Sequence, residues 1–222
     1  MGVILKSALC LTAGKANREL PAALCSANLA TPMGHTLCDD YSISPEDYLS
    51  AERISQRRHE YVAGAIFAKA GTTIGHARIA GNISAALNTQ LRGRKCESFS
   101  SKIKVRIQRD AASFFYYPDV TVDCSGAANG SLFAEAPRVI FEVLSPDTER
   151  IDRGEKLRNY QSIPTLEAYV LVDQYHVAVT IYRRIADGWV MEFLTEKTDT
   201  LELPGIECSL PLTTIYERTG LP

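Results

Sequence analysis

The chain has 222 residues, 45% hydrophobic and 23% charged, the balance of a folded globular protein, which excludes wholesale disorder. No apolar run approaches the roughly 18 residues needed to cross a bilayer, so neither a membrane-spanning helix nor a membrane partner is expected. Lys plus Arg number 24 against 26 for Asp plus Glu, a net charge of −2 that excludes binding through bulk positive charge yet allows a local basic groove.

Residues 1–40 are rich in Ala, Leu, Thr and Gly and show no sustained period of 3.6 or 2. They read as a flexible leader ahead of a domain over 41–222, with Met33 as the start of a shorter form. A transient helix around Arg18 to Ala27 is the alternative. The six cysteines, Cys10, Cys25, Cys38, Cys96, Cys124 and Cys208, show neither a CxxC nor a disulfide-framework pattern. With no secretory signal at the start, the expectation is a cytoplasmic protein with reduced cysteines.

Ser44-Pro45-Glu46-Asp47 predicts a helix start, with a hydroxyl cap, Pro at the first helical position and an acid three residues beyond the cap. Glu60 to Ala68 reads as strand with a hairpin turn at Ala63-Gly64. Ile79, Ile83, Leu87 and Leu91 repeat every four residues and predict one stripe of a long helix ended by Gly93. In Lys102 to Gln108, Ile103, Val105 and Ile107 alternate with Lys102, Lys104 and Arg106, which predicts a strand with one buried and one basic face. Phe114 to Cys124 reads as the next strand and 125–136 as a loop. Arg138 to Leu144 is apolar on both faces and should be central in its sheet. A short helix over Asp152 to Gln161, strands over Glu167–Val172, Val177–Arg183 and Trp189–Leu194, and a helical turn at Leu212–Glu217 follow. The fold class is α/β, a mixed α+β sheet with helices packed on it.

Glu142 lies inside the apolar strand Val139–Leu144, where an ionised carboxylate is costly unless a cation compensates it. Either it marks a site or it is a sheet-end acid paired with Arg138. Asp119 follows Pro118, and a proline there implies a bulge, an edge or a strand starting. If the two carboxylates converge, they form a hard, oxygen-rich site suited to Mg2+ or Mn2+. Glu60 could add a third carboxylate, or be a partly exposed strand-end acid beside Arg57 and Arg58. Lys102, Lys104 and Arg106 could track a phosphate backbone, or be a solvated face that discourages edge aggregation. His76 could position phosphate or water, or be a hydrogen-bonded histidine near a helix start.

Pro118-Asp119 followed by Glu142 on a central strand resembles the PD-(D/E)xK signature of restriction-endonuclease-like folds. The fuller resemblance, over Ile43 to Glu217, is to the Uma-type (Uma-two, DUF820) endonucleases. It rests on Arg58-His59-Glu60-Tyr61-Val62, on His76 with Ile79-Ala80-Gly81-Asn82, and on Tyr117-Pro118-Asp119-Val120. Phe141-Glu142-Val143-Leu144-Ser145-Pro146-Asp147-Thr148-Glu149, Asp152-Arg153-Gly154-Glu155-Lys156-Leu157 and Tyr169-Val170-Leu171-Val172-Asp173 complete it. The resemblance implies a restriction-endonuclease-like core with flanking helices and additional C-terminal strands. It also implies metal-dependent cleavage of phosphodiester bonds in DNA, with RNA left open, and a homodimer. Asp119 and Glu142 would hold the metal, with Glu60 beside them. The third signature position holds Leu144 where the pattern has lysine, and Lys156 is the expected replacement. Asp152, Lys156 and Tyr160 are spaced four apart on one helix face, and the lysine stem could reach a sheet-borne site. The alternative for Lys156 is a surface pair with Asp152 worth about 0.3–0.5 kcal/mol. The competing reading of the whole chain is a catalytically degenerate nuclease fold kept for nucleic-acid binding or assembly.

Overall fold

The computed structural model describes residues 42–69 and 71–222; the leader expected over residues 1–40 lies outside the described residues. Helix α1 (Pro45–Glu52) begins at Ser44, whose hydroxyl accepts the Asp47 amide. Strands β1 (His59–Val62) and β2 (Ala65–Ala68) form the predicted hairpin. Its two turn residues have positive φ, 47° at Ala63 and 98° at Gly64, as a tight hairpin turn demands. Gly64 also has no room for a Cβ, which would collide with the Ser42 hydroxyl. Helix α2 (Ile74–Gln90) buries the predicted stripe, with Ile79, Ile83 and Leu87 fully inside.

β3 (Glu97–Ser100), β4 (Lys104–Arg109), β5 (Ala112–Tyr116) and β6 (Val120–Asp123) follow, then β7 (Phe133–Ala134) and β8 (Pro137–Leu144). The segment read as one strand over Phe114 to Cys124 is in fact two, and they belong to different sheets. β5 lies in a five-stranded sheet of order β2-β1-β5-β4-β7, while β6 lies in a six-stranded sheet of order β11-β10-β9-β8-β6-β3. Tyr117-Pro118 is the crossing point, because Pro118 has no amide to continue a ladder. β8 sits inside the six-stranded sheet, antiparallel to β6 and parallel to β9.

After β8 comes a helical segment of three pieces: α3 (Glu149–Ile151), a wide π-helical turn (Asp152–Lys156) and α4 (Leu157–Gln161). Strands β9 (Ala168–Asp173), β10 (Val179–Ile185) and β11 (Gly188–Leu194) finish the large sheet. β12 (Thr200–Leu203) and β13 (Cys208–Pro211) form a separate hairpin, and α5 (Leu212–Ile215) is the last helix. Among the described residues no helix is long and apolar enough to cross a membrane.

Two cores flank the large sheet. On one face Val139, Phe141 and Val143 of β8 pack with α2, the β12–β13 hairpin and α5. On the other, Ile140 and Leu144 pack with Tyr160 of α4 and with Val105, Ile107 and Tyr116 of the smaller sheet. Strand alternation therefore aims Glu142 into this second layer, between the two sheets and under α4.

The reduced-cysteine expectation is overturned. Cys96 and Cys124 are joined by a disulfide, with their Cα atoms 4.1 Å apart. The pairing of Glu97 with Asp123 in β3 and β6 places them on neighbouring strands, which no sequence spacing discloses.

Candidate functional site

The site forms where the chain crosses between sheets. Tyr117 has left the β5 ladder, and its amide donates to Glu60 Oε1 at 3.0 Å instead. Two residues on, Asp119 accepts the Val143 amide of β8 at 2.8 Å through Oδ2. His76 Nε2, from the first turn of α2, lies 3.1 Å from the same oxygen. Thr73 fixes that turn: its hydroxyl accepts the His76 amide and donates to Gln174 Oε1, while Gln174 Nε2 donates to Leu144 O. Lys69 Nζ approaches Asp119 Oδ1 at 3.2 Å and also donates to the Tyr117 carbonyl. Burial alone would raise the Asp119 pKa, but His76, Lys69 and the Val143 amide together hold it well below the ordinary carboxylate value.

Glu142, with its side chain 3% exposed, has a different environment. Lys156 Nζ and the Tyr160 hydroxyl both donate to its Oε1 at 3.0 Å. The same ammonium is 3.3 Å from Glu60 Oε1 and 3.3 Å from Asp152 Oδ1. Asp152 Oδ1 is buried without a hydrogen bond despite that ion pair, because its approach to Lys156 is poorly aligned. Burial pushes Glu142 up to about 8 even against the pull of Lys156, and Asp152 and Asp119 add to the rise. Asp152 is raised by burial too. Burial would pull Lys156 down, yet Glu142, Glu60 and Asp152 hold it well above the ordinary lysine value, so it stays a cation.

The structure thus brings Glu60, Asp119, Glu142 and Lys156 into one cluster. Arg138 pairs with Glu167, not with Glu142. Lys156, only 5% exposed, is no surface partner of Asp152, which removes the bland reading of that pair. Lys69 is not visible in the sequence as a site residue: it follows the edge strand β2 and reaches Asp119 only through the folded hairpin.

The three basic residues proposed for a phosphate track do not share a solvated face. Lys102 sits in the turn before β4, and Lys104 is buried, its ammonium 5.0 Å from the centre of the Tyr117 ring and 5.7 Å from that of Phe133. Arg106 is exposed, pairs with Glu135 and lies over Phe133. Aromatic rings packed on this side of the sheet cover what alternation alone would expose.

Among the described residues no group of three or more His, Cys, Asp or Glu side chains is placed to hold a metal ion. The chemistry still suits a hard divalent cation, which Mg2+-binding proteins often hold with one or two carboxylates and water. Glu60, Asp119, Glu142 and Asp152 set four carboxylates against the two ammonium groups of Lys69 and Lys156. That imbalance, and the proton affinity it forces on Glu142, is what a divalent cation would relieve.

Comparison with known proteins places the fold and the family. In Synechocystis sp. (strain ATCC 27184 / PCC 6803 / Kazusa), the uncharacterized protein slr1290 is 35% identical over 175 residues, covering 78% of this chain and 91% of its own length. A second protein of that organism, sll1609, is 28% identical over 164 residues, covering 72% of this chain and 92% of its own length. The crystal structure of a "putative nuclease belonging to DUF820" from Anabaena variabilis ATCC 29413 superposes with a TM-score of 0.65 at 18% identity, over 78% of this chain and 97% of that one. It shares the mixed α/β fold. Residues 45–214 match the Uma2 family profile, described as "Putative restriction endonuclease", and the chain belongs to that family.

Proposed function

We propose that the chain is a divalent-metal-dependent endonuclease that hydrolyses phosphodiester bonds in DNA, working as a homodimer. The observation that carries this reading is the gathering of Glu60 and Glu142 on one buried ammonium, Lys156, with Asp119 bonded to the Val143 amide next to Glu142 at the crossing point of two sheets. Asp119 and Glu142 are the residues that would hold Mg2+ or Mn2+, and the ion when bound would supply Lewis acidity at the phosphate and an activated water.

The protein's own groups supply the rest. Lys156 is a permanent cation, so it acts as a hydrogen-bond donor and electrostatic anchor for the charge that develops on phosphorus-bound oxygen, not as a base. Glu60, held by the Tyr117 amide, and Tyr160, bonded to Glu142, fix where that ammonium and its carboxylate point. His76 and the Val143 amide fix Asp119 Oδ2.

A plasmid-nicking assay with Mg2+, with Mn2+ and with chelator tests the reading. Cleavage that chelator stops, and that Asp119→Asn and Glu142→Gln each abolish, is expected. Activity surviving both substitutions would overturn the assignment, and DNA binding with no cleavage under either metal would favour a degenerate binder.

A further inference from the structure

Two lysines reach the site, and they are held in different ways. Lys156 is 5% exposed and surrounded by three carboxylates, so nothing can exchange with it cheaply. Lys69 is 25% exposed and meets a single carboxylate, Asp119, together with the Tyr117 carbonyl. Its backbone is fixed, since its amide donates to Arg58 O at 2.8 Å, but its four-carbon side chain arrives at the site from the rim.

The acceptors of Lys69 are informative. A carboxylate oxygen and a main-chain carbonyl oxygen are hard donors, the kind that Mg2+ and Mn2+ also choose. The other Asp119 oxygen is committed to the Val143 amide and His76, so Oδ1 is the oxygen open to exchange. A cation arriving there meets an ammonium already in place, and the two repel each other at short range.

We infer that Lys69 is an internal competitor for the metal: its ammonium occupies the Asp119 Oδ1 position, and its displacement sets the metal concentration at which the site loads. This rests on the reading of Asp119 and Glu142 as metal ligands. Displaced, the side chain remains at the rim, where a partly exposed ammonium suits a phosphate oxygen of the substrate. Lys69 is thus a positioning residue that trades one anion for another.

The test is Mn2+ affinity, read as loss of the free-ion electron paramagnetic resonance signal on the full chain without substrate. Lys69→Met should bind Mn2+ about fivefold more tightly or better, since one competing charge has been removed. Lys69→Gln, read in parallel with circular dichroism to confirm the fold, should do the same. Lys197→Met makes the same change in net charge at an exposed position and should leave the affinity within about twofold of the wild type. Equal or weaker Mn2+ binding in both Lys69 variants overturns the inference, because a mere structural pin for Asp119 predicts that loss. If wild-type binding is abolished by Asp119→Asn but unmoved by the Lys69 variants, only this inference falls. If neither wild type nor any variant binds Mn2+, the metal reading falls and takes the inference with it.

Discussion

Asp119 and Glu142 are buried to nearly the same degree, 6% and 3% exposed, yet they hold protons in opposite ways. Asp119 is kept ionised, whereas Glu142 is pushed up to about 8. The difference lies in what each half of the site can spare. Asp119 stands where the chain has left one sheet and not yet joined the other, so it gathers a main-chain amide, a histidine and a rim lysine. Glu142 stands within β8, paired to β9, and the free amide beside it, that of Val143, is taken by Asp119. Glu142 depends on side chains alone, and its one ammonium is shared with Glu60 and Asp152. The carboxylate at the break thus takes the free amide and stays ionised, and the one within the strand is left with side-chain partners.

The strongest way to break this contrast is Lys156→Met. It strands three carboxylates around an apolar side chain, and cleavage should slow at least about 100-fold. Stability in denaturant titrations should fall by about 3–5 kcal/mol, the cost of leaving buried charge unpaired. Adding Glu142→Gln to that variant should restore part of the loss. A Lys156→Met protein as stable as the wild type would remove the buried-pair half of the argument.

Next comes pH. Glu142 binds its proton more tightly in the folded state, about 8 against an ordinary 4.5, so its contribution to stability is fully present below about 4.5. That contribution is lost as pH rises toward about 8. Asp119 runs the other way: its folded pKa is depressed, so its contribution is present above the ordinary 3.8 and lost as pH falls below it. Thermal melts of metal-free protein should therefore lose stability between about pH 4.5 and 8, and Glu142→Gln should flatten that slope while Asp119→Asn leaves it.

Smaller effects belong to the Asp119 half. Thr73→Ala removes the α2 cap and the link to Gln174, and should cost about 1 kcal/mol, with His76 less firmly aimed. Lys69→Met should cost under about 1 kcal/mol in the same titrations, because its pair is open to solvent at one end. If Lys69→Met proves as destabilising as Lys156→Met, the two lysines do not differ as described.

Much of this architecture is written locally. The Ser44 cap, the Ala63-Gly64 turn, the α2 stripe and the acid in the middle of β8 each follow from one short stretch of chain. So does the spacing that brings Lys156 and Tyr160 to Glu142, which survives the π-helical turn over Asp152–Lys156. What stays hidden depends on partners far along the chain. Phe114 to Asp123 carries strand-forming residues on both sides of Pro118, and only that proline hints that two sheets divide it. β3 is Glu-Ser-Phe-Ser, with no apolar pattern to announce a strand. Lys104 alternates correctly with its apolar neighbours but meets Tyr117 and Phe133 on the face expected to be wet.

The Cys96–Cys124 bond has a consequence for how the molecule survives damage. It joins residues 28 apart and closes a covalent ring that holds β4, β5, the Tyr117-Pro118 crossing and Asp119. In the chain-entropy picture such a ring removes about 3–4 kcal/mol of freedom from the unfolded chain. It also means that a protease cutting the turn at Asp110-Ala111 yields two fragments still fastened at the far end of the ring. The nicked chain keeps Asp119 tethered beside β8 and migrates as one species until a reductant separates the pieces.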